Sequence, residues 1–178
     1  MVNDAFTVKF DFKVFLSHTN TREDMEMVSM FSDQLKEVGI NCYVAEDDPQ
    51  PGQLLSEKVK KNIDDSDVVV GIWTSNSKNS VFMNQELGYA ERTKAVMLLA
   101  QTGSSPCGFF TGREYIVFDP ENPLGGITRA MNYINALLDD KARTVLAKAQ
   151  QEQVIAALII LVVIIAIVVL LVLLTGSG

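Results

Sequence analysis

The sequence predicts a doubly wound α/β domain with a parallel sheet, followed by one transmembrane helix. The chain has 178 residues, which allows one domain of ordinary size and an accessory element. Short apolar runs alternate with longer amphipathic segments along the first 150 residues. Strands that are joined by helices of this length pair in parallel through right-handed crossovers. A long uninterrupted apolar run then follows, from 154 to 174.

The predicted elements follow one another with short connections. The strands are expected at 12–17, 40–45, 67–74, 95–100 and 114–118, and the helices at 21–38, 54–63, 80–93 and 126 to about 150. Segment 67–74 (DVVVGIWT) is the most continuous apolar strand, as is typical of a central strand covered on both faces. The first helix carries an apolar stripe that ends at Gly39, a residue that favours helix termination.

Composition excludes several classes of function. The chain has 15 basic and 22 acidic residues and a formal charge of −7, which argues against nucleic acid as a partner. Its two cysteines, Cys42 and Cys107, are too few for a disulfide framework, and one histidine, His18, excludes a multi-histidine metal site. We therefore expect no metal, and we interpret both cysteines as small buried side chains in a reducing compartment.

The apolar run at 154–174 has the length of a membrane span. Its 21 residues contain no charge, Gly or Pro, and as a helix they would cover about 31 Å, close to the ~30 Å thickness of a bilayer core. Lys141, Arg143 and Lys148 precede it, and the first residues have no uninterrupted apolar core or cleavage site, so we expect no signal peptide. The predicted organisation is a domain at 1–135 on the cytoplasmic side, a helical juxtamembrane linker at 136–153 and a transmembrane helix at 154–174.

Familiar catalytic and nucleotide-binding motifs are absent. The sequence contains no GxGxxG, no GxxxxGK[ST] and no GxSxG. In doubly wound folds ligands bind beyond the carboxyl ends of the strands. The functional residues should therefore lie in the loops that follow Ser17, Ala45 and Thr74.

One acidic residue near the start of the third helix has a distinctive setting. Ser80 is a plausible N-cap, and Phe82 and Glu86 are four residues apart and share one helix face. Met83 and Leu87 flank Glu86 on the apolar side, which would place its carboxylate at the border of the core. Spacing alone leaves a solvated surface glutamate as the alternative.

Several segments together resemble TIR (Toll/interleukin-1 receptor) domains of the prokaryotic type. They are the first strand VFLSH, the loop with Pro51 and Gly52, the strand DVVVGIWT, and the run SxxSxFxxxE followed by LGYA. The resemblance covers roughly residues 10–135. It implies a flavodoxin-like fold with five parallel strands, which agrees with the pattern of elements.

The resemblance also implies an activity. Enzymatic members of the family cleave the bond between nicotinamide and ribose in NAD+, with the glutamate of an SxxSxWxxxE signature as the catalytic residue. Glu86 takes that position here, and Phe82 stands where the family usually has Trp. The substrate-binding residues that the resemblance implies are Ser17, His18, Thr19, Ser77, Ser80 and Phe82. The self-association loop that it implies contains Asp47, Asp48, Pro51 and Gly52.

Two broad functions follow from the resemblance. The first is an NAD+ glycohydrolase or cyclase held at the membrane in signalling or immune defence, with NAD+ as substrate and no further cofactor. The second is a catalytically silent adaptor that works through assembly with other TIR domains at the bilayer. A nucleoside deoxyribosyltransferase-like enzyme, which also uses a glutamate on a related fold, is a third possibility.

Overall fold

The computed structural model describes residues 11–44 and 57–175. The chain divides into two compact units, Met1–Asn135 and Ala136–Gly178. The first contains a five-stranded sheet with helices on both faces, and the second is helical.

The elements alternate as predicted. The strands are β1 Lys13–Ser17, β2 Asn41–Val44, β3 Val68–Trp73, β4 Ala95–Gln101 and β5 Ile116–Phe118, and the helices are α1 Arg22–Glu37, α2 Glu57–Asp64, α3 Val81–Ala90 and α4 Leu124–Thr175. Short 3₁₀ turns cover Ser77–Asn79 and Gly108–Phe110.

The sheet is parallel throughout, with strand order β2-β1-β3-β4-β5. The order reverses between β1 and β3, which makes their carboxyl ends the switch point of the fold. Ser17, the last residue of β1, pairs there with Gly71 of β3. All six residues of β3 are buried, as predicted for the central strand. The predicted α/β fold class with a five-stranded parallel sheet is confirmed.

The core has two layers because neighbouring residues of a strand point to opposite faces. On one face Phe15, Val69 and Trp73 pack in a cluster with side chains from α2 and α3, namely Val59, Ile63, Met83, Leu87 and Ala90. Trp73 and Phe110 meet edge to face, with ring centroids 6.3 Å apart. The intervening strand residues, such as Val68 and Val70, are also completely buried and belong to the opposite layer.

Element boundaries differ from the predictions at several places. β5 begins at Ile116 rather than Glu114 because its ladder with β4 covers only three residue pairs, from Ile116 to Phe118. α3 ends at Ala90 rather than Thr93. The predicted acidic loop at 46–52 lies outside the described residues.

The last helix runs through the predicted helical linker at 136–153 and the predicted span at 154–174. α4 is one helix from Leu124 to Thr175. No Pro or Gly interrupts the sequence between Gly126 and Thr175, so nothing in it terminates the helix. Its C-terminal part is long and apolar enough to cross a membrane, and residues 151–167 are all exposed.

Candidate functional site

A buried carboxylate lies where the strand order reverses. Ser17 Oγ, at the end of β1, donates a hydrogen bond of 2.7 Å to Glu86 Oε2 on α3. Ser17 is completely buried and Glu86 is only 7% exposed. The structure therefore excludes the alternative of a solvated surface glutamate. It also joins the predicted catalytic residue to one of the predicted substrate-binding residues.

Local interactions set the start of α3 and hence the position of Glu86. Ser80 is the N-cap, and its hydroxyl accepts a hydrogen bond of 3.2 Å from the Met83 backbone N–H. Met83 and Leu87 are buried in the core, one on each side of Glu86 in the sequence. A carboxylate between two core residues lies at the core border, as the sequence predicted.

The turn between β3 and α3 is closed by Ser77. This residue is fully buried, its hydroxyl donates to the Ile72 carbonyl at 3.1 Å, and it accepts from the Thr74 backbone N–H at 3.0 Å. Ser77 and Ser80 thus lie beyond the carboxyl end of β3, where the sequence predicts functional residues. Their hydroxyl groups bond to the backbone and hold the N-terminus of α3 in place.

The loop from β1 to α1 is held by polar contacts of its own. His18 is buried, and its Nδ1 donates to the Thr19 carbonyl at 3.0 Å, since a carbonyl oxygen only accepts. The Thr19 hydroxyl donates to Asp24 Oδ2 on α1. Asn76, in the turn after β3, donates to the Thr21 hydroxyl at 3.1 Å. The loops that follow the two switch-point strands are therefore connected.

Phe82 differs from the buried residues of the site. Its side chain is 61% exposed, whereas Glu86 one turn later is buried. The two residues are four apart on one helix, but the ring lies mostly in solvent. Asp47, Asp48, Pro51 and Gly52, which the resemblance implies for self-association, lie outside the described residues.

Comparison with known families agrees with this architecture. A family model described as TIR domain matches residues 14–129, which is more than half of the chain. The chain belongs to the TIR domain family. No match was found among curated protein sequences.

Two solved structures with TM-scores of 0.50 or more share the fold of this TIR domain at low sequence identity. The TIR domain of the Toll-related receptor TRR-2 from Hydra magnipapillata is 16% identical, with 68% of this chain and 97% of that chain covered and a TM-score of 0.53. A prokaryotic SEFIR domain is 17% identical, with 68% and 91% covered and a TM-score of 0.50. The TIR domains of the Roq1 resistosome, which recognises the effector XopQ, are 21% identical over 51% of this chain and 57% of that chain, with a TM-score of 0.43.

Residues 11–44 and 57–175 contain no group of three or more His, Cys, Asp or Glu side chains that could hold a metal ion. Cys42 and Cys107 are free and partly buried. Burial raises the pKa of the Cys42 thiol to about 11, so this thiol is protonated and unreactive near neutral pH.

Two polar residues beside the site, Asp24 and Asn76, were not predicted. Asp24 follows Thr21 by three residues, and this spacing of a hydroxyl residue and an acid resembles a helix capping box. That signal could have indicated Asp24. Asn76 carries no comparable signal, because its contact with Thr21 joins residues 55 positions apart.

Proposed function

We propose that this TIR domain is a membrane-anchored NAD+ nucleosidase that cleaves the nicotinamide–ribose bond in signalling or immune defence. The observation that carries the proposal is the buried Glu86 carboxylate, held by the Ser17 hydroxyl at 2.7 Å. It lies at the carboxyl ends of β1 and β3, where doubly wound folds bind their ligands.

The chemistry of the substrate suits a site with one carboxylate. In NAD+ the nicotinamide ring is cationic, so the C1′–N bond can break with both electrons passing to the ring nitrogen, and no general acid is needed. The ribosyl carbon that remains resembles the oxocarbenium ion of glycoside hydrolysis. A carboxylate beside it stabilises the positive charge. Water then yields ADP-ribose, and attack from within the same molecule yields a cyclised isomer.

The remaining predicted residues take supporting parts. The exposed Phe82 ring offers a face on which a planar base can stack. Ser77 and Ser80 fix the N-terminus of α3 through their backbone contacts. The contacts of His18 and Thr19 hold the loop that follows Ser17. In this proposal NAD+ is the substrate, and no cofactor takes part.

The C-terminal helix supports the membrane component of the proposal. Residues 151–167 are exposed, and from 154 onward they are apolar on every side of the helix. Such a surface is stable in lipid rather than in water. Tethering to a bilayer raises the local concentration, so weak contacts between TIR domains through the loop with Pro51 and Gly52 become populated. We place the TIR domain on the cytoplasmic side, as the sequence predicts.

The decisive experiment measures nicotinamide release from NAD+ by the full chain in phospholipid vesicles. Glu86→Gln replaces the carboxylate by an amide of the same shape, and we expect release to fall at least a hundredfold. Glu26→Gln makes the same change on an exposed part of α1 and should have no effect. Equal activity of the wild-type chain and Glu86→Gln would contradict the proposal.

One observation favours a catalytically silent adaptor as the second candidate. The hydroxyl groups of Ser77 and Ser80, which align with the family signature, bond to the protein backbone. An adaptor would release no nicotinamide at any protein density in the membrane, and it would still form oligomers that Gly52 or Pro51 substitutions weaken.

A further inference from the structure

Asp24 is a charged residue with no exposure to solvent. It lies in the first turn of α1, where its backbone N–H donates to the Thr21 hydroxyl at 3.3 Å. Its Oδ2 accepts a hydrogen bond from the Thr19 hydroxyl. Among the described residues, Oδ1 has no hydrogen-bond partner. A buried carboxylate is costly unless it is hydrogen-bonded, so the Thr19 contact is the side-chain interaction that offsets its burial, together with the positive end of the α1 dipole.

Ser17 ends β1, and Thr19 lies two residues later in the loop that leads to α1. Ser17 donates to Glu86 on α3, and two residues later Thr19 donates to Asp24 on α1. Two residues span about 7 Å at most, so the two contacts lie close together along the chain. His18, between them, adds the bond from its ring to the Thr19 carbonyl. The Thr19–Asp24 contact thus fixes the loop directly after Ser17.

We propose that Asp24 is a positioning residue, which holds the β1–α1 loop through Thr19 so that the Ser17 hydroxyl meets the Glu86 carboxylate. Asp24 acts through Thr19 and Ser17 and need not touch the substrate. Its consequence for turnover rests on the proposed NAD+ nucleosidase activity. Its structural consequence, the strength of the bond between Ser17 and Glu86, does not depend on that activity.

A double-mutant cycle tests the structural consequence on the full chain in detergent micelles. Ser17→Ala, Glu86→Ala and the double variant give the coupling between the two residues in the unfolding equilibrium. Unfolding is followed by the fluorescence of Trp73, the only tryptophan of the chain, which is buried in the core. We expect a coupling of about tenfold in the unfolding constant.

The same cycle is then measured with the Thr19–Asp24 contact removed. In a Thr19→Val background the coupling should fall below about threefold, and Thr19→Ser should restore it because it keeps the hydroxyl. Ser66→Ala is the matched control. Ser66 is buried, and its hydroxyl donates to the Ile63 carbonyl at 2.7 Å. It precedes β3 and so lies at the amino ends of the parallel strands, away from the site. That variant should lower stability and leave the coupling unchanged.

Two outcomes overturn the positioning role. One is an undiminished coupling in Thr19→Val, and the other is a coupling that Ser66→Ala lowers equally. If Thr19→Val does not fold, Asp24→Ala replaces it, since it removes the acceptor of the Thr19 hydroxyl; an undiminished coupling in that variant overturns the role in the same way.

The effect on turnover is measured as nicotinamide release from NAD+ by the same variants in vesicles. Thr19→Val should lower kcat at least fivefold and change KM less than threefold, because the loop positions the Ser17 hydroxyl that bonds to Glu86. Thr19→Ser should recover most of the lost kcat. A wild-type chain that releases no nicotinamide would refute the proposed function, and the coupling measurement would still decide the role of Asp24.

Discussion

Gly71 of β3 and Leu87 of α3 approach so closely that a side chain at position 71 would force the Leu87 side chain to shift. A Cβ atom on Gly71 would lie 2.9 Å from Leu87 Cδ1 and 3.0 Å from Leu98 Cδ2 on β4. Gly71 also pairs with Ser17 across the ladder, and Leu87 follows Glu86 directly. The absence of a side chain at position 71 thus leaves room for the Leu87 side chain to pack against the sheet, next to the residue that bonds to Ser17.

The first prediction concerns this close approach. Gly71→Ala should lower the free energy of unfolding by about 1–3 kcal/mol, because the added methyl group overpacks the core against Leu87. Gly88→Ala, in the same helix, has open space at its Cβ position and should raise it by up to about 1 kcal/mol through helix propensity. Denaturant titration followed by Trp73 fluorescence measures both, and equal effects of the two variants would contradict the packing argument.

The second prediction concerns the Ser17 hydroxyl. Ser17→Ala should reduce kcat for nicotinamide release about 10- to 100-fold, since a hydrogen bond to a charged group is worth about 1.5–3 kcal/mol and orients Glu86. Ser29→Ala, on an exposed position of α1, serves as the control. Steady-state kinetics in vesicles give kcat and KM separately. If kcat of Ser17→Ala equals that of the wild type, Glu86 does not need the Ser17 hydroxyl.

The third prediction concerns Phe82, which replaces the tryptophan that is usual in the family signature. Because the ring is 61% exposed, Phe82→Ala should change the free energy of unfolding by less than about 1 kcal/mol. It should raise KM for NAD+ several-fold through loss of a stacking face, and Phe82→Trp should lower KM. Steady-state kinetics and thermal denaturation measured on the same preparations separate the two effects; a large loss of stability in Phe82→Ala would assign the ring a packing role instead.

The fourth prediction concerns pH. The pKa of Cys42 is raised from 9.0 to about 11 by burial, so the folded protein binds this proton more tightly than the unfolded chain does. The resulting stabilisation is complete below pH 9 and is lost as the pH rises toward 11, with a total of about 3 kcal/mol. Urea unfolding of the wild type and Cys42→Ala between pH 8 and 11 measures it. Parallel pH profiles of the two proteins would be the contrary result.

The fifth prediction concerns the membrane. The full chain should float with phospholipid vesicles in a density gradient, because residues 151–167 expose an apolar surface that water solvates poorly. A variant that ends at residue 150 should stay in the aqueous fraction with the far-ultraviolet circular dichroism of a folded α/β domain. Flotation of the truncated variant to the same extent would mean that another surface binds lipid.

The order of strands and helices could be predicted because its signals are local. The all-apolar run of β3, the stripe of α1 and the uninterrupted apolar segment from residue 154 are each properties of a few consecutive residues. The motif around Glu86 is local too, since its ten residues, 77–86, lie in one turn and the helix that follows it. The helical linker predicted at 136–153 and the helix predicted at 154–174 form parts of one helix, α4, and the sequence contains no Gly or Pro between Gly126 and Thr175.

The chain's own sequence determined a parallel α/β domain, an apolar C-terminal helix and a glutamate at the border of the core. Only the tertiary structure decided that Glu86 meets Ser17, 69 residues earlier, and that the Thr19 hydroxyl bonds to the buried Asp24. It also decided that Ser77 and Ser80 direct their hydroxyl groups to the backbone. The physical reason is that periodicity assigns each residue to a face of its own element, whereas the side chains that meet at the switch point depend on which strands pair.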